Sequence, residues 1–441
     1  MRIALINPPA SNRYVHSIDE PLGLEYLAAQ IKAEHEVLII DSFSQKLSVK
    51  ETIELVLEFS VDVVGISTVF SSTYKTSKDI FEGIKSVNPE IITVSGGNTA
   101  TFMAEELAAL PYVDYVTRGE GDISFPALIK AINSGGSVSD IKGISYYCKD
   151  RVVHNPDQPL VNDLDTLPFP ARELLPMSEH YPKSILSARG CAYGCPYCST
   201  AAFWGKGFRV RSVDNIIDEI KLLNTDNNLK SFSFADDCFT LIPKRTKEIC
   251  ARIKELDIIA QWNCTGRIET ITEDMLEALS GAGCMAIFFG IESGSKRILE
   301  KLGRRYSPED VQKVYKLCIS YGITPYFSFI IGLPSEELTD INETYSLIEK
   351  LEGVENGIHM LTPFPGTPIA NNPSEYGLEI LPHSIEELDI NTKSFINTEQ
   401  LSAKSIEEYF KKAIGYSFKA LKRSRRINQI TAESIRGEEC G

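Results

Sequence analysis

Residues 188–200 read ARGCAYGCPYCST, and Cys191, Cys195 and Cys198 stand there at spacings of four and three residues. Gly190 and Gly194 let the chain wrap, and Pro196 stiffens the second step. The apolar run KSILSARG ahead of them predicts a strand, so the thiols open a loop at a strand end. Thiolates at these steps can converge on one small centre. A tetrahedral structural zinc needs a fourth ligand, and candidates are thin: His180 precedes the strand, and no CxxC or HxxxH partner follows. An iron-sulfur cube accepts thiolates, and three of them leave one iron open.

Working outward, strand and helix signals alternate on both sides of the loop. From Ser184 to about 370, KSILSARG, LKSFSFADD, AQWNCTGR, AIFFGIESG, TPYFSFIIGLPSE and ENGIHMLTPFPGTP alternate with amphipathic stretches. About six such units without a second chain reversal predict a partial (β/α)6 barrel over 184–370, with polar residues at its strand C-terminal ends. From 1 to 135, RIALIN, EVLIID, VDVVGIST, EIITVSGG and VDYVTRGEG alternate with helical patterns. That rhythm predicts an α/β domain built on a doubly wound, Rossmann-like, flavodoxin-type parallel sheet. Residues 136–183, rich in turn signals and with a hairpin at ISYYCKDRVVH, read as a connector. Residues 371–441 read as a C-terminal extension, with a helix from about Ser402 to Lys422 and a frayed end.

Composition sets the outer bounds. A chain of 441 residues implies two or three domains. The formal charge of -15 argues against a nucleic-acid or anionic-membrane surface. The basic run from Lys419 to Arg426 reads as a solvated helix face. MRIALINPPA lacks the pattern of a signal peptide, and no stretch of eighteen apolar residues occurs, so a soluble cytoplasmic protein is expected. The seven other cysteines share no repeating spacing, which fits reduced thiols and not a disulfide framework.

CAYGCPYC resembles the CxxxCxxC pattern of the radical S-adenosylmethionine (SAM) enzymes. The resemblance implies that Cys191, Cys195 and Cys198 ligate a [4Fe-4S] cluster whose fourth iron chelates the methionine part of SAM. It also implies SAM contacts. Asp236 and Asp237 in FADDCF would lie near the ammonium, and Arg267 at the end of TGR near the carboxylate. Glu292 and Ser293 in IFFGIESGS would hold the ribose, and Tyr197 would lie against adenine. A helix cap, a surface ion pair and a packed aromatic are the plainer readings of these residues. FIIGLPSE, ending at Glu336, and MLTPFPGTP continue the likeness.

The first domain resembles the cobalamin-binding domain joined to many enzymes of this branch. Ser67 in GISTVFSS, Gly96 and Gly97 in SGGNTATF, and Glu120 and Gly121 in TRGEGD would surround the macrocycle. One departure stands out: the cobalt-ligating pattern DxHxxG is replaced by Asp41-Ser-Phe43-Ser-Gln-Lys46, with no histidine.

The expected activity is therefore reductive cleavage of SAM to a 5'-deoxyadenosyl radical, followed by cobalamin-dependent C-methylation of a small molecule. The resemblance also implies an electron donor such as flavodoxin or ferredoxin. A cobalamin-independent dehydratase, cyclase or epimerase using the first domain as scaffold is the alternative. A non-enzymatic metal protein would leave Asp237, Arg267 and Glu292 unexplained, and the acidic balance counts against a transfer-RNA substrate. The six histidines form no metal motif, and His359 at the last strand end is the one candidate for substrate contact.

Overall fold

Runs rich in Val and Ile, each followed by an amphipathic stretch, form the first sheet. Its strands are β1 (Arg2–Asn7), β2 (Glu36–Asp41), β3 (Val63–Ser67), β4 (Ile92–Gly96), β5 (Tyr115–Thr117), β6 (Ile144–Cys148) and β7 (Arg151–His154). The computed structural model describes residues 1–10, 20–69, 71–175, 182–205, 207–225, 229–256 and 258–438, those beyond 422 as backbone alone. The strand order is 2-1-3-4-5-6-7, with β1 to β5 parallel. Helices cover both faces, as a parallel sheet requires. Helices Leu22–Ile31 and Gly121–Ser134 bury Leu24, Ala28, Phe125 and Leu128 on one face. Ile80, Phe81, Ile84 and Leu107 fill the other.

The hairpin placed in a connector by its turn signals is the antiparallel pair β6 and β7, and β6 pairs with β5. Residues 144–154 thus extend the first sheet. The pairing satisfies backbone groups that β5 would otherwise present as an open edge.

The second sheet is a six-stranded parallel arc: β8 (Lys183–Ile185), β11 (Ser231–Phe234), β12 (Gln261–Gly266), β13 (Cys284–Glu292), β14 (Thr324–Ile331) and β15 (Asn356–Met360), adjacent in that order. Phe232, Trp262, Ile287, Phe289, Phe327 and Phe329 bury against the surrounding helices. The alternate positions Ser233, Asn263, Phe288, Tyr326 and Ser328 therefore face the concave side. This is the partial barrel expected from the alternation.

Between β8 and β11 the short strands β9 (Ala188–Gly190) and β10 (Phe208–Val210) form an antiparallel ribbon. The run KSILSARG is consequently two strands. The break comes at Leu186 and Ser187, where the buried Asp236 carboxylate accepts hydrogen bonds from the Ser187 hydroxyl and from the backbone N–H groups of Ser187 (2.6 Å) and Ala188 (3.1 Å). At the other end of the chain, β16 (Leu378–Ile380) and β17 (Ile396–Thr398) pair, and the helix Ala403–Glu438 packs on the barrel. Its Tyr416 ring stacks on Tyr345 at 4.7 Å, and the Tyr345 hydroxyl donates to the Tyr409 carbonyl at 2.8 Å. The helix runs past the expected end at Lys422 because the Lys, Arg, Gln, Ala and Glu residues that follow are good helix formers. Among the described residues no helix is long and apolar enough to cross a membrane.

Candidate active site

The ribbon of β9 and β10 closes both ends of the cysteine loop. Gly190, at φ +91°, turns the chain out of β9, and a Cβ there would meet the Gly207 carbonyl oxygen at 2.3 Å. Cys191, Cys195 and Cys198 are free and half-buried on this loop. Burial pushes the Cys191 and Cys198 thiols up, and the neighbouring Cys195 and Asp237 add to both shifts. Among the described residues no three His, Cys, Asp or Glu side chains gather as the donors of a single ion would. Three softly buried thiols on a wrapped loop fit a cluster, whose separate irons each take one thiolate. Nine of the ten cysteines are described and all nine are free. Cys440 and the histidines His16 and His180 lie outside the described residues.

Charged residues converge at the barrel rim beside the loop. Glu292 ends β13 in the left-handed region, at φ +72°, a costly conformation for a residue with a Cβ. A bulge in the pairing of β13 with β14 falls between Gly290 and Glu292, and the Tyr306 hydroxyl donates to the carbonyls of Gly290 (3.2 Å) and Ile291 (2.9 Å). A Cβ on Gly290 would meet Glu292 Oε1 at 2.6 Å, so this glycine makes room for the carboxylate. Arg304 donates to Glu292 Oε1 at 2.5 Å and to the Tyr197 hydroxyl at 2.8 Å. Burial pushes Glu292 up, and the Arg304 guanidinium and Tyr197 hydroxyl oppose that shift.

Arg267, just past β12, lies 3.5 Å from the centroid of the Tyr193 ring and donates to both oxygens of Glu269 at 2.7 and 3.2 Å. The structure thus gathers Tyr197, Arg267 and Glu292 around the cysteine loop and adds Arg304 and Tyr193. Arg304 had only a faint signal in the sequence, the doubled arginine of GRRYS after the helix Lys296–Lys301. A pocket of about 150 Å³ opens between Tyr197, Ser328, Ile330, His359 and Phe364. His359 stands there 3.1 Å from the Asn391 side chain.

Two of the expected SAM residues face elsewhere. Asp236 holds the turn into β9, as described above, and burial pushes its carboxyl up to about 6. Asp237 is the exposed member of the pair and accepts from the Thr200 hydroxyl at 3.1 Å, next to the loop. Ser293 is fully buried, with its hydroxyl 3.3 Å from that of Thr344. It fastens the strand end to the helix Leu338–Lys350, where a Cβ on Gly294 would meet Thr344 Cα at 2.5 Å. Glu336, in the loop after β14, accepts from the N–H groups of Gly332 and Leu333 at 2.7 and 3.2 Å and is likewise structural.

All five residues expected around a macrocycle, Ser67, Gly96, Gly97, Glu120 and Gly121, line one cavity of about 310 Å³ over the C-terminal ends of the first sheet. Its walls are largely apolar, with Leu5, Leu24, Ile66, Val94 and Phe125 from the first domain and Phe203 and Trp204 from the segment after Cys198. A Cβ on Gly23 or Gly119 would meet nothing within 4 Å, so these glycines thin the wall. The Thr117 hydroxyl and the Asn98 side-chain carbonyl are buried there without partners. Neutral orphan donors and acceptors in an apolar cavity fit an uncharged heterocycle with an amide-bearing periphery, as in cobalamin. The Glu120 carboxylate is already engaged, with Arg189, Arg209 and the Val161 N–H, so it shapes the wall. After β2, Asp41 accepts from the Asn7 amide at 2.8 Å and the Ser44 N–H at 3.1 Å, with no imidazole in the turn.

Comparison with known proteins agrees with this geometry. The radical SAM superfamily model matches residues 185–348, and the B12 binding domain model matches residues 13–129. An uncharacterized methyltransferase of Pyrococcus horikoshii is 34% identical over 386 residues, 84% of each chain. The anaerobic magnesium-protoporphyrin IX monomethyl ester cyclase of Rubrivivax gelatinosus is 28% identical over 78% of this chain and 64% of its own. Among solved structures, the radical SAM methyltransferase TsrM from Kitasatospora setae, with cobalamin and a [4Fe-4S] cluster bound, shares the fold. Its TM-score is 0.72 at 20% identity over 92% of this chain and 84% of that one. The superfamily's cofactors are SAM and a [4Fe-4S] cluster, and the added domain's is cobalamin. With its thiol loop at the rim of a partial barrel and an apolar cavity beside it, the chain belongs to the radical SAM superfamily and carries a B12-binding domain ahead of the barrel.

Proposed function

We propose that this chain is a cobalamin-dependent radical SAM methyltransferase that methylates a carbon of a small molecule. The observation that carries the reading is the shared wall: Arg189, Phe203 and Trp204 flank the cysteine loop in sequence and line the first-domain cavity. Methyl transfer needs the two cofactor sites to open onto one space, and a scaffold domain has no such need. The methyltransferase of P. horikoshii, matched over 84% of each chain, supports it further.

When bound, the cluster and SAM supply one-electron reductive cleavage and hydrogen abstraction, and cobalamin carries the methyl group. In this reading Cys191, Cys195 and Cys198 hold the cluster. Arg267 exchanges Glu269 for the SAM carboxylate, with the Tyr193 ring keeping its guanidinium in place. Glu292 accepts from the ribose hydroxyls, and Arg304 keeps it ionised against the cost of burial. Tyr197 lies against the adenine, with the pocket toward Ile330 and His359 behind it, and Asp237 lies near the ammonium. Ser67, Gly96, Gly97 and Gly121 bound the cobalamin site. A one-electron donor such as flavodoxin or ferredoxin and a cytoplasmic setting complete the reading.

Anaerobic reconstitution with iron, sulfide and hydroxocobalamin tests this assignment. About four iron and about one cobalt per chain, followed by S-adenosylhomocysteine formation with a methylated product, are expected. Iron without cobalt overturns it in favour of a scaffold domain and of dehydration, cyclisation or epimerisation chemistry.

A further inference from the structure

Arg189 stands two residues before Cys191 on β9, yet among the described residues its guanidinium donates its hydrogen bonds to carboxylates of the first domain. It donates to Glu120 Oε1 at 2.9 Å and to both Asp122 oxygens at 2.7 and 3.1 Å. Its side chain is 6% exposed, and the Glu120 and Asp122 side chains are 2% and 7% exposed. A planar fork gripped by three oxygens has little freedom. Arg209 on the partner strand β10 donates to both Glu120 oxygens at 2.9 Å. Trp204, at the end of the helix after Cys198, carries both guanidinium groups over its ring, at 5.6 and 5.7 Å. The cysteine loop is therefore fastened before, within and after its turn. Each fastening meets residues of the cavity wall: Glu120, Asp122, Arg189 and Trp204 all line it.

A group that fills the cavity restricts the residues that hold the loop, and a loop already set by its cluster restricts the wall. Two sites that order the same residues must favour each other reciprocally. We propose that Arg189 is a positioning residue through which occupancy of the first-domain cavity orders the cysteine loop, so that the two cofactor sites assemble cooperatively. This inference rests on the cavity being the cobalamin site.

The test is an anaerobic absorbance titration of the full-length protein with hydroxocobalamin, with and without the reconstituted cluster. Cluster-loaded wild type is expected to bind about 10-fold tighter than cluster-free protein. In Arg189→Gln that ratio falls to about one, and Arg189→Lys recovers little of it because an ammonium cannot reproduce the fork. A ratio unchanged in both variants, or a ratio of one in wild type, overturns the proposal and leaves the cavity assignment standing. No binding to wild type in either state overturns both. Hydrogen exchange on cluster-free wild type decides the matter should the variants fail to fold: hydroxocobalamin slows amide exchange across 188–205 several-fold if Arg189 couples the sites. Exchange that does not respond refutes it.

Discussion

The first-domain cavity and the barrel rim are neighbours built on opposite principles. The cavity is walled by aliphatic and aromatic side chains and keeps its spare polar atoms neutral, at Thr117 and Asn98. The rim is crowded with charge, and Arg267 and Arg304 are already paired, with Glu269 and Glu292. A cavity of the first kind selects by shape and by apolar area removed from water. A rim of the second kind selects by partner exchange: an incoming zwitterion must replace an internal ion pair, so only a ligand matching both signs repays desolvation. The contrast teaches that one chain can hold a large neutral cofactor and a small charged one side by side without either site attracting the other's ligand.

The comparison breaks most sharply at the loop between the two regions. Cys198→Ala is expected to lower SAM cleavage by at least about 100-fold and to reduce bound iron. Hydroxocobalamin binding to the cluster-free protein stays near the wild-type value, and iron analysis with absorbance titration checks both. If cobalamin binding fails together with the cluster, the two regions are one site.

Arg304→Met probes the rim alone. It leaves the buried Glu292 carboxylate without its paired cation, a change that costs about 3–5 kcal/mol when an ion pair of this kind is broken. Calorimetric titration with SAM should show at least about 10-fold weaker binding, and Arg304→Lys should recover part of it. Gly96→Leu is the matching change in the cavity, because a Cβ there has only Thr117 atoms near it, at 3.8 and 3.9 Å, and a longer side chain enters the space. A fall of about 10-fold in hydroxocobalamin affinity, with bound iron unchanged, would confirm that the cavity acts by shape.

The effect farthest from the cofactors concerns Glu25, on the helix that gives the cavity Gly23, Leu24 and Tyr26. Glu25 is fully buried with both oxygens unpartnered, and burial pushes its carboxyl up to about 8, with Glu20 adding to the shift. Arg172, Lys183 and Glu219 are the other charges facing it. Because its folded value lies above the unfolded one, the folded state holds a proton between about pH 4.5 and about pH 8 that the unfolded state has released. Folding stability then declines as pH rises through that window, by up to about 1.4 kcal/mol per unit. Glu25→Gln removes the titration, so its melting temperature should exceed that of wild type by more at pH 9 than at pH 5. Equal differences at both values would mean that the helix tolerates the ionised form.

Much of this arrangement was legible beforehand because it depends on local pattern. The three cysteines, the glycines around them and the alternation of apolar runs report directly on backbone geometry and burial. Both parallel sheets followed from them, whereas the glycines around the cavity were expected from the resemblance to a cobalamin-binding domain. Ser67, Gly96, Gly97 and Gly121 all sit at strand or helix ends, where chain direction alone places them over the sheet. Residues whose role depends on a distant partner were not legible. Asp236 and Asp237 are adjacent, and only the path of Leu186 and Ser187 decides that the first holds a turn and the second faces the loop. Ser293 reads as a strand-end hydroxyl until the approach of Thr344 consumes it.

What the sequence by itself determined is the chemistry: thiol spacing, strand periodicity and glycine position are short-range properties carried by the residues concerned. What only the tertiary structure decided is the pairing of charges across the chain. Arg304 with Glu292, Arg189 with Glu120 and Asp122, and the β5–β6 edge each join segments brought together by packing. A charge declares its sign in the sequence, but its energy depends on the partner and on the water excluded around it, and both are set only when the chain has folded.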